Sequence, residues 1–291
     1  MPELPEVETI RRGLEKYLVG ISITDIEIRL VKMFEGKKED IIDQKIVGVR
    51  RFGKGLVIDF KNKKSLVAHV KMTGQFIYKG VQSFQNFHPQ IGIANELPNK
   101  WTHIIFSLGN GDVLYYNDIR QFGWLKVCAT DDVHSLTFFK NLGPEPFRDL
   151  TVEVFRNILQ ESKRPIKTLL MDQSKISGIG NIYANEALFK AGVHPASLSS
   201  EITNKKVKKL HDSLLEVLIQ GLELGGASDV NYLNVDGKTG GFQHHFKVYR
   251  RDGKECFYCQ SLIKRIVIGG RGTFYCPRCQ KEKAAVVKKK K

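Results

Sequence analysis

Four cysteines near the carboxyl end constrain this chain more than any other feature. They read Cys256-x2-Cys259, then sixteen residues, then Cys276-x2-Cys279. Two such knuckles at this separation match tetrahedral zinc ligation, each knuckle supplying two thiolates. The alternatives are two redox pairs or two disulfides. Either would be unusual in a cytosolic chain with no thioredoxin-like pattern around its cysteines. Four thiolates leave no open coordination position, so the Zn2+ is expected to be structural. The fifth cysteine, Cys128, stands alone in the apolar run WLKVC and reads as a small buried hydrophobe.

Between the knuckles lies SLIKRIVIGGRGTFY. Its β-rich runs, 262–268 and 273–275, flank Gly269-Gly270-Arg271-Gly272. The pattern predicts a β-hairpin stapled at its base by metal, with Arg271 at its tip. A glycine-flanked guanidinium can approach a phosphate closely and donate two parallel hydrogen bonds.

Charge points the same way. The net charge is +15 over 291 residues, and residues 245–291 hold fourteen Lys or Arg against three acids. A basic segment of this size implies a polyanion, nucleic acid or anionic membrane. No basic amphipathic helix with a bulky apolar face accompanies it, which disfavours the membrane. The four terminal lysines read as a solvated tail, but Arg265, Arg271 and Arg278 interleave with cysteines and aromatics. Hydrophobic residues at 42% and charged residues at 26% exclude a mostly disordered chain. No apolar run approaches the roughly 18 residues of a membrane span. The start, MPELPEVETI, has no apolar signal-peptide core, so a cytoplasmic location is expected.

Periodicity divides the rest. After a first helix, residues 21–30, 45–51, 56–60, 65–71, 101–108 and 112–117 read as short strands, which suggests a β-sandwich. Residues 79–100 read as a long surface loop. Helical spacing follows at 151–160, 166–172, 181–191 and 203–224, the last with Val207, Leu210, Leu214, Leu218 and Leu222 on one stripe. Gly143-Pro144-Glu145-Pro146 reads as a stiff connector. The glycine-rich stretch 225–241 reads as too poorly packed to be rigid, a candidate mobile loop. The expected class is α+β and multidomain. The expected domains are a helix plus β-sandwich (1–130), a linker (131–150), a helical domain (151–245), a four-cysteine zinc hairpin (246–280) and a basic tail (281–291).

The amino terminus carries chemistry of its own. Pro5, Glu6 and Glu8 suit the first turn of a helix, with Val7, Ile10, Leu14 and Leu18 as its apolar stripe and Gly20 as its end. An ordinary capped helix explains these residues but not Pro2-Glu3. With Met1 removed, Pro2 bears a secondary amine. A free α-amine titrates near 7.7–8.0 in reference peptides, and a helix N-terminus or a lysine lowers that value towards the nucleophilic form. Condensed with a sugar carbon, a secondary amine gives an iminium that is cationic without protonation and acidifies the neighbouring C–H.

Longer motifs identify a family. MPELPEVET (1–9), H-x-x-M-x-G (69–74), DIRQFG (118–123), LGPEP (142–146), GIGNIYANE (178–186) and GRGTFYCPRCQ (270–280) resemble, in order, the bacterial formamidopyrimidine-DNA glycosylases. The resemblance implies an N-terminal β-sandwich, a helix–two-turn–helix domain and a zinc-finger hairpin, with DNA in a cleft between the halves. It implies a bifunctional glycosylase/AP lyase of base excision repair that excises oxidised purines, and a monomer whose partner is damaged double-stranded DNA. It implies action at the nucleoid of a bacterial cytosol.

The resemblance also assigns residues. Pro2 matches the Schiff-base nucleophile, Glu3 the acid/base that shuttles protons, Lys54 the proton donor in β-elimination, and Arg271 the phosphate grip that assists δ-elimination. Asn181 and His69 match phosphate contacts. Met72, Arg120 and Phe122 match the trio that fills the gap left by an extruded base. The residue types alone leave plainer readings open: core residues for Met72 and Phe122, a structural histidine for His69, a solvated Lys54, and a helix cap for Asn181. The chain departs from its relatives in two places, with Gly55 where they often carry Tyr, and Trp101 where they often carry His. His103 is a candidate to compensate for the second. Two alternatives remain, a glycosylase of the endonuclease VIII branch acting on oxidised pyrimidines, and a non-catalytic, zinc-dependent DNA-binding protein.

Overall fold

A computed structural model describes residues 1–80, 96–229 and 231–281. Most of the expected loop at 79–100 and nearly all of the basic tail lie outside the described residues, as does Val230. The chain opens with helix α1 (Leu4–Leu18). Strands β1 (Ile23–Ile28), β2 (Phe34–Glu35), β3 (Ile46–Phe52), β4 (Gly55–Phe60), β5 (Lys64–His69), β6 (Gly74–Lys79), β7 (Thr102–Leu108), β8 (Val113–Asp118) and β9 (Trp124–Ala129) follow. Helices α2 (Thr137–Lys140), α3 (Val152–Gln160), α4 (Ile166–Leu170), α5 (Asn181–Ala191) and α6 (Asn204–Glu223) precede the hairpin of β10 (Lys264–Ile268) and β11 (Arg271–Tyr275). The sequence reading has no counterpart for β2, β6 and β9.

Contacts divide the chain into two units, residues 1–142 with 220–244, and residues 143–219 with 245–291. The first unit is a sandwich of two sheets, ordered β1-β7-β8-β6 and β2-β9-β5-β4-β3. Alternating side chains of both sheets, among them Ile58, Leu66, Phe76, Ile104 and Phe106, meet in one core with the α1 stripe. Val7, Ile10, Leu14 and Leu18 are at most 1% exposed. Each such burial stabilises by about 1.5–3 kcal/mol, which fixes the helix that carries Pro2 and Glu3.

Two expectations need correction, on 225–241 and on Cys128. The stretch 225–241 is packed where it is described: Ala227, Tyr232, Leu233 and Val235 are buried. The Tyr78 N–H donates to the Val235 carbonyl at 2.9 Å, and Gly13 leaves the space that Val235 fills. A count of glycines hides these apolar anchors. The connector 143–146 begins the second unit, where the sequence expects it, and it is held in place. The Gly143 N–H donates to Gln173 O and the Ser177 N–H to Pro144 O, and a Cβ at Gly143 would fall 2.5 Å from the Lys175 backbone. Cys128, on β9, is only half-buried, at the edge of a small cluster around Val57, Val67 and Phe139.

The second unit holds α3 to α5, most of α6, and the hairpin. On α6, Val207, Leu210, Leu214 and Leu218 are buried as the stripe predicts. In the hairpin, Ile268 pairs with Arg271, so the turn is Gly269–Gly270 alone. Both glycines have positive φ, +56° and +72°, as a two-residue turn matched to the strand twist requires. Arg271 is therefore the first residue of β11 instead of part of the turn. Among the described residues no helix is long and apolar enough to cross a membrane.

Candidate active site

The first turn of α1 is buried from Pro2 to Val7. Glu3 is the N-cap, and its N–H donates to Glu6 Oε2 at 2.7 Å. The other Glu6 oxygen accepts the Ala227 N–H at 2.7 Å. A Cβ on Gly226, whose φ is +88°, would lie 2.8 Å from Glu6 Cγ, so the close approach needs a glycine. The Tyr232 hydroxyl donates to the Glu6 carbonyl at 3.3 Å. Residues 226–232 are thus tied to the head of the chain. Burial pushes the Met1 amine below its ordinary value, Glu3, Glu6 and Asp229 oppose this, and Lys54 adds to it. Such influences act at short range, so three carboxylates and one lysine gather around the first residues.

Lys54 reaches this place from the β3–β4 turn, where Phe52 pairs with Gly55 and Gly53 takes φ +56°. Lys54 is only 4% exposed, so a freely solvated lysine is not what the fold presents. The Phe138 and Phe139 rings close to 2.8 and 2.6 Å of where a Gly55 Cβ would sit.

His69 ends β5 and is buried, edge-on to Phe138 at 4.6 Å. Its Nδ1 accepts the Lys71 N–H at 2.9 Å, which leaves the proton of the neutral ring on Nε2. Burial, with Lys71 and Lys54, pushes its pKa down to about 3. His69 is therefore a neutral donor. Met72 is half-buried in the turn after it. Arg120 and Phe122 lie exposed between β8 and β9, with the guanidinium 4.7 Å from the ring centroid. At 54% exposed, Phe122 is no core residue. His103 does not replace the histidine lost at Trp101. It is buried, and its Nε2–H donates to Asp118 O at 2.8 Å.

In the second unit, Gly180 is the N-cap of α5 and Asn181 its first residue. Asn181 is not the cap: its Nδ2 donates to Gly272 O at 3.2 Å. Lys167, wholly buried, donates to Gly272 O at 2.9 Å and to Thr273 Oγ1 at 2.6 Å. Asn185 Oδ1 accepts the Phe274 N–H at 2.8 Å. The Glu186 carboxylate accepts three successive N–H groups, of Lys247, Val248 and Tyr249. The bonds of Lys167, Asn181 and Asn185 hold the hairpin to α4 and α5, those of Glu186 hold residues 247–249 to α5, and the Arg271 side chain is left exposed beside the α5 N-terminus, a place suited to an anion.

The cysteines Cys256, Cys259, Cys276 and Cys279 place all four sulfurs within 4.8 Å of one another. Resolved separations are 3.4 Å for Cys259 to Cys276, 3.5 Å for Cys259 to Cys279 and 3.9 Å for Cys256 to Cys279. A zinc–sulfur bond of about 2.3 Å gives a tetrahedral edge of about 3.8 Å, which these distances bracket. Hydrogen bonds from Ser261 pull the Cys259 thiol down to about 6, while desolvation and the neighbouring sulfurs push Cys279 up. Four thiolates so close need a cation, and one structural zinc ion fits.

The fold thus gathers Pro2, Glu3 and Lys54 in the first unit, with His69 close enough to Lys54 to feel its charge. It joins Asn181 to the Arg271 hairpin in the second. Sequence reasoning took Glu6 only as a helix-start residue and gave Asp118 and Lys167 no role. Glu6 and Asp118 stood inside motifs already singled out, and only their buried partners reveal what they do.

Family models match nearly the whole chain: the formamidopyrimidine-DNA glycosylase N-terminal domain over residues 1–125, its helix–two-turn–helix domain over 142–231, and a zinc finger found in these glycosylases and in isoleucyl-tRNA synthetases over 245–281. The formamidopyrimidine-DNA glycosylase of Streptococcus pneumoniae R6 is 38% identical over 286 residues, covering 97% of this chain and 99% of its own. The Lactococcus lactis Fpg solved with DNA containing an abasic site is 33% identical, with a TM-score of 0.85 over 96% of this chain and 100% of that one. Solved with DNA containing an N7-benzyl-Fapy-dG, the same Lactococcus lactis protein gives a TM-score of 0.84 at 33% identity over 97% and 100%. The chain belongs to the formamidopyrimidine-DNA glycosylase family.

Proposed function

We propose that this protein is a DNA glycosylase and AP lyase that removes oxidised purines, such as 8-oxoguanine and formamidopyrimidines, from duplex DNA in base excision repair. The observation that carries the reading is the buried amino end of α1, where Glu3, Glu6 and Lys54 surround the first residues. Family membership supports the substrate class.

In this scheme Met1 is removed and the Pro2 nitrogen attacks C1′ of the damaged nucleotide. The glycosidic bond breaks and the base leaves with a proton. Glu3 shuttles protons as the sugar ring opens to an iminium. Loss of a C2′ proton expels the 3′ phosphate, and a second elimination expels the 5′ phosphate. Hydrolysis of the iminium then frees Pro2. Lys54 serves as proton donor in the first elimination, and Arg271 grips phosphate in the second. Asn181 and the neutral His69 donate to phosphates, while Met72, Arg120 and Phe122 fill the gap left by the extruded base. Extrusion costs a few kcal/mol, least for a damaged pair. The zinc ion holds the hairpin and takes no part in the chemistry. We place the protein in the bacterial cytoplasm, acting on nucleoid DNA as a monomer. A reduced thiolate cluster and a free Cys128 suit that compartment.

Borohydride trapping on an 8-oxoguanine duplex tests the scheme. Protein with a verified free Pro2 amine should give a covalent adduct, and acetylation of that amine should abolish it, by at least about 1000-fold. Normal trapping after acetylation would assign the attack to another group. A matched thymine-glycol duplex cleaved faster than the 8-oxoguanine one would move the protein to the pyrimidine branch.

A further inference from the structure

The two loops that carry Met72, Arg120 and Phe122 meet at one buried carboxylate. Asp118, the last residue of β8, is wholly buried. Its Oδ1 accepts the Thr73 hydroxyl, next to Met72, and the Arg120 N–H at 3.1 Å. Its Oδ2 accepts the Gly123 N–H at 2.7 Å, next to Phe122. The Thr73 hydroxyl in turn accepts the Arg120 N–H at 2.9 Å. One threonine and one aspartate therefore span both loops. The backbone of Asp118 is held too, by the His103 Nε2–H on its carbonyl and by donation of its N–H to Trp101 O at 3.0 Å.

Packing closes the same node from behind. The buried Tyr116 hydroxyl lies 2.6 Å from where a Cβ on Gly74 would be and 1.9 Å from where one on Gly123 would be. Neither position can carry a larger residue without a shift. Each loop also contains a left-handed non-glycine residue, Lys71 at φ +49° and Gln121 at φ +55°. Such a conformation persists only where its surroundings over-determine it.

We propose that Asp118, acting with Thr73, is a positioning residue that fixes the spacing of Met72 relative to Arg120 and Phe122. The inference rests on the reading of those three as the gap-filling trio. A wedge assembled from two independent loops would have to order both on entering the base stack. A wedge already joined through a buried charge-assisted network enters as one piece, and less freedom is lost. Asp118 touches no DNA in this scheme. Its effect is confined to steps that need the wedge.

The test uses full-length, zinc-loaded protein with Thr73→Val, Thr73→Ser and Asp118→Asn. Three quantities are read: single-turnover excision of 8-oxoguanine from duplex, cleavage of an abasic site in a single strand, where there is no opposite base to fill in for, and the signal of 2-aminopurine placed beside the lesion. Thr73→Val should slow duplex excision by about tenfold, the scale of one lost hydrogen bond to a buried charge, and shrink the 2-aminopurine signal. Cleavage of the single-stranded abasic site should stay within about twofold. Thr73→Ser should restore both duplex readouts, and Asp118→Asn should exceed the Thr73→Val effect. Duplex excision within about twofold of wild type in Thr73→Val would overturn the proposal. So would an equal loss on both substrates, which marks a merely structural role. Wild-type protein inert on both substrates would instead sink the functional reading, and this proposal with it.

Discussion

The zinc hairpin and the first turn of α1 hold their working residues by different means. In the hairpin the restraint is local. Two knuckles, a two-glycine turn and five cross-strand pairs lie within about 25 positions of one another, and Arg271 is held out into solvent. At α1 the restraint is long-range. Glu6 binds an amide 221 residues away, and Lys54 arrives from a separate β-turn. The hairpin presents an exposed cation on a rigid support, fit to hold an anion. The α1 turn buries an amine among carboxylates and a lysine, fit to tune a nucleophile. His69 follows the second pattern: burial keeps it neutral, so in the proposed scheme it would offer a phosphate a hydrogen bond without a charge.

Removing the metal should have the largest effect. Structural zinc sites contribute about 10–16 kcal/mol of apparent binding energy to folding. Chelation, or Cys276→Ser, should unfasten the hairpin and weaken binding to an 8-oxoguanine duplex by roughly 100-fold or more, read by fluorescence anisotropy alongside zinc content. Unchanged affinity in metal-free protein would break the comparison, since the hairpin would then keep its shape without its staple.

A smaller effect is expected from acid. The folded His69 titrates at about 3, whereas an unfolded histidine titrates near 6.5. Between these values the unfolded chain binds the extra proton, so stability is fully present above pH 6.5 and falls as pH drops towards 3. The slope is at most about 1.4 kcal/mol per pH unit. Between pH 7 and pH 5, wild type should therefore lose up to about 2 kcal/mol more than His69→Gln. Urea unfolding midpoints at the two pH values measure this. Equal losses would mean that His69 charges in the folded state.

The smallest effect separates the two proposed phosphate contacts, one charged and one neutral. Arg271→Ala should lower the slope of log affinity against log salt by about 1, because one counterion-releasing cation is lost. His69→Gln should leave that slope unchanged while still weakening binding. A reduced slope in His69→Gln would show that bound DNA charges the ring.

Legibility in the sequence followed the same division. Cysteine spacing announced the zinc centre, and GGRG announced a turn, although its register was off: the glycine pair alone turns, and Arg271 opens β11. The α1 and α6 stripes matched their buried faces because helical spacing is local. The stretch 225–241 misled. Its glycines suggested looseness, while Tyr232, Leu233 and Val235 anchor it against α1 and β6. The connector 143–146 stood where the sequence placed it, while its partner Ser177, some thirty residues on, was not legible.

By itself the sequence determined the metal and its four ligands, the basic character of the carboxyl end, the stripe that buries α1, and a secondary amine available at Pro2. All of these depend on residue chemistry or on spacing within a few turns. Only the tertiary structure decided that Glu6 would join the chain's head to Ala227, that Asp118 would join two loops 45 residues apart, and that Lys167 would be buried against a carbonyl 105 residues away. A carboxylate or an ammonium in a sequence does not say which distant amide or carbonyl will satisfy it. That choice is made when packing excludes water and every buried polar group must find a partner.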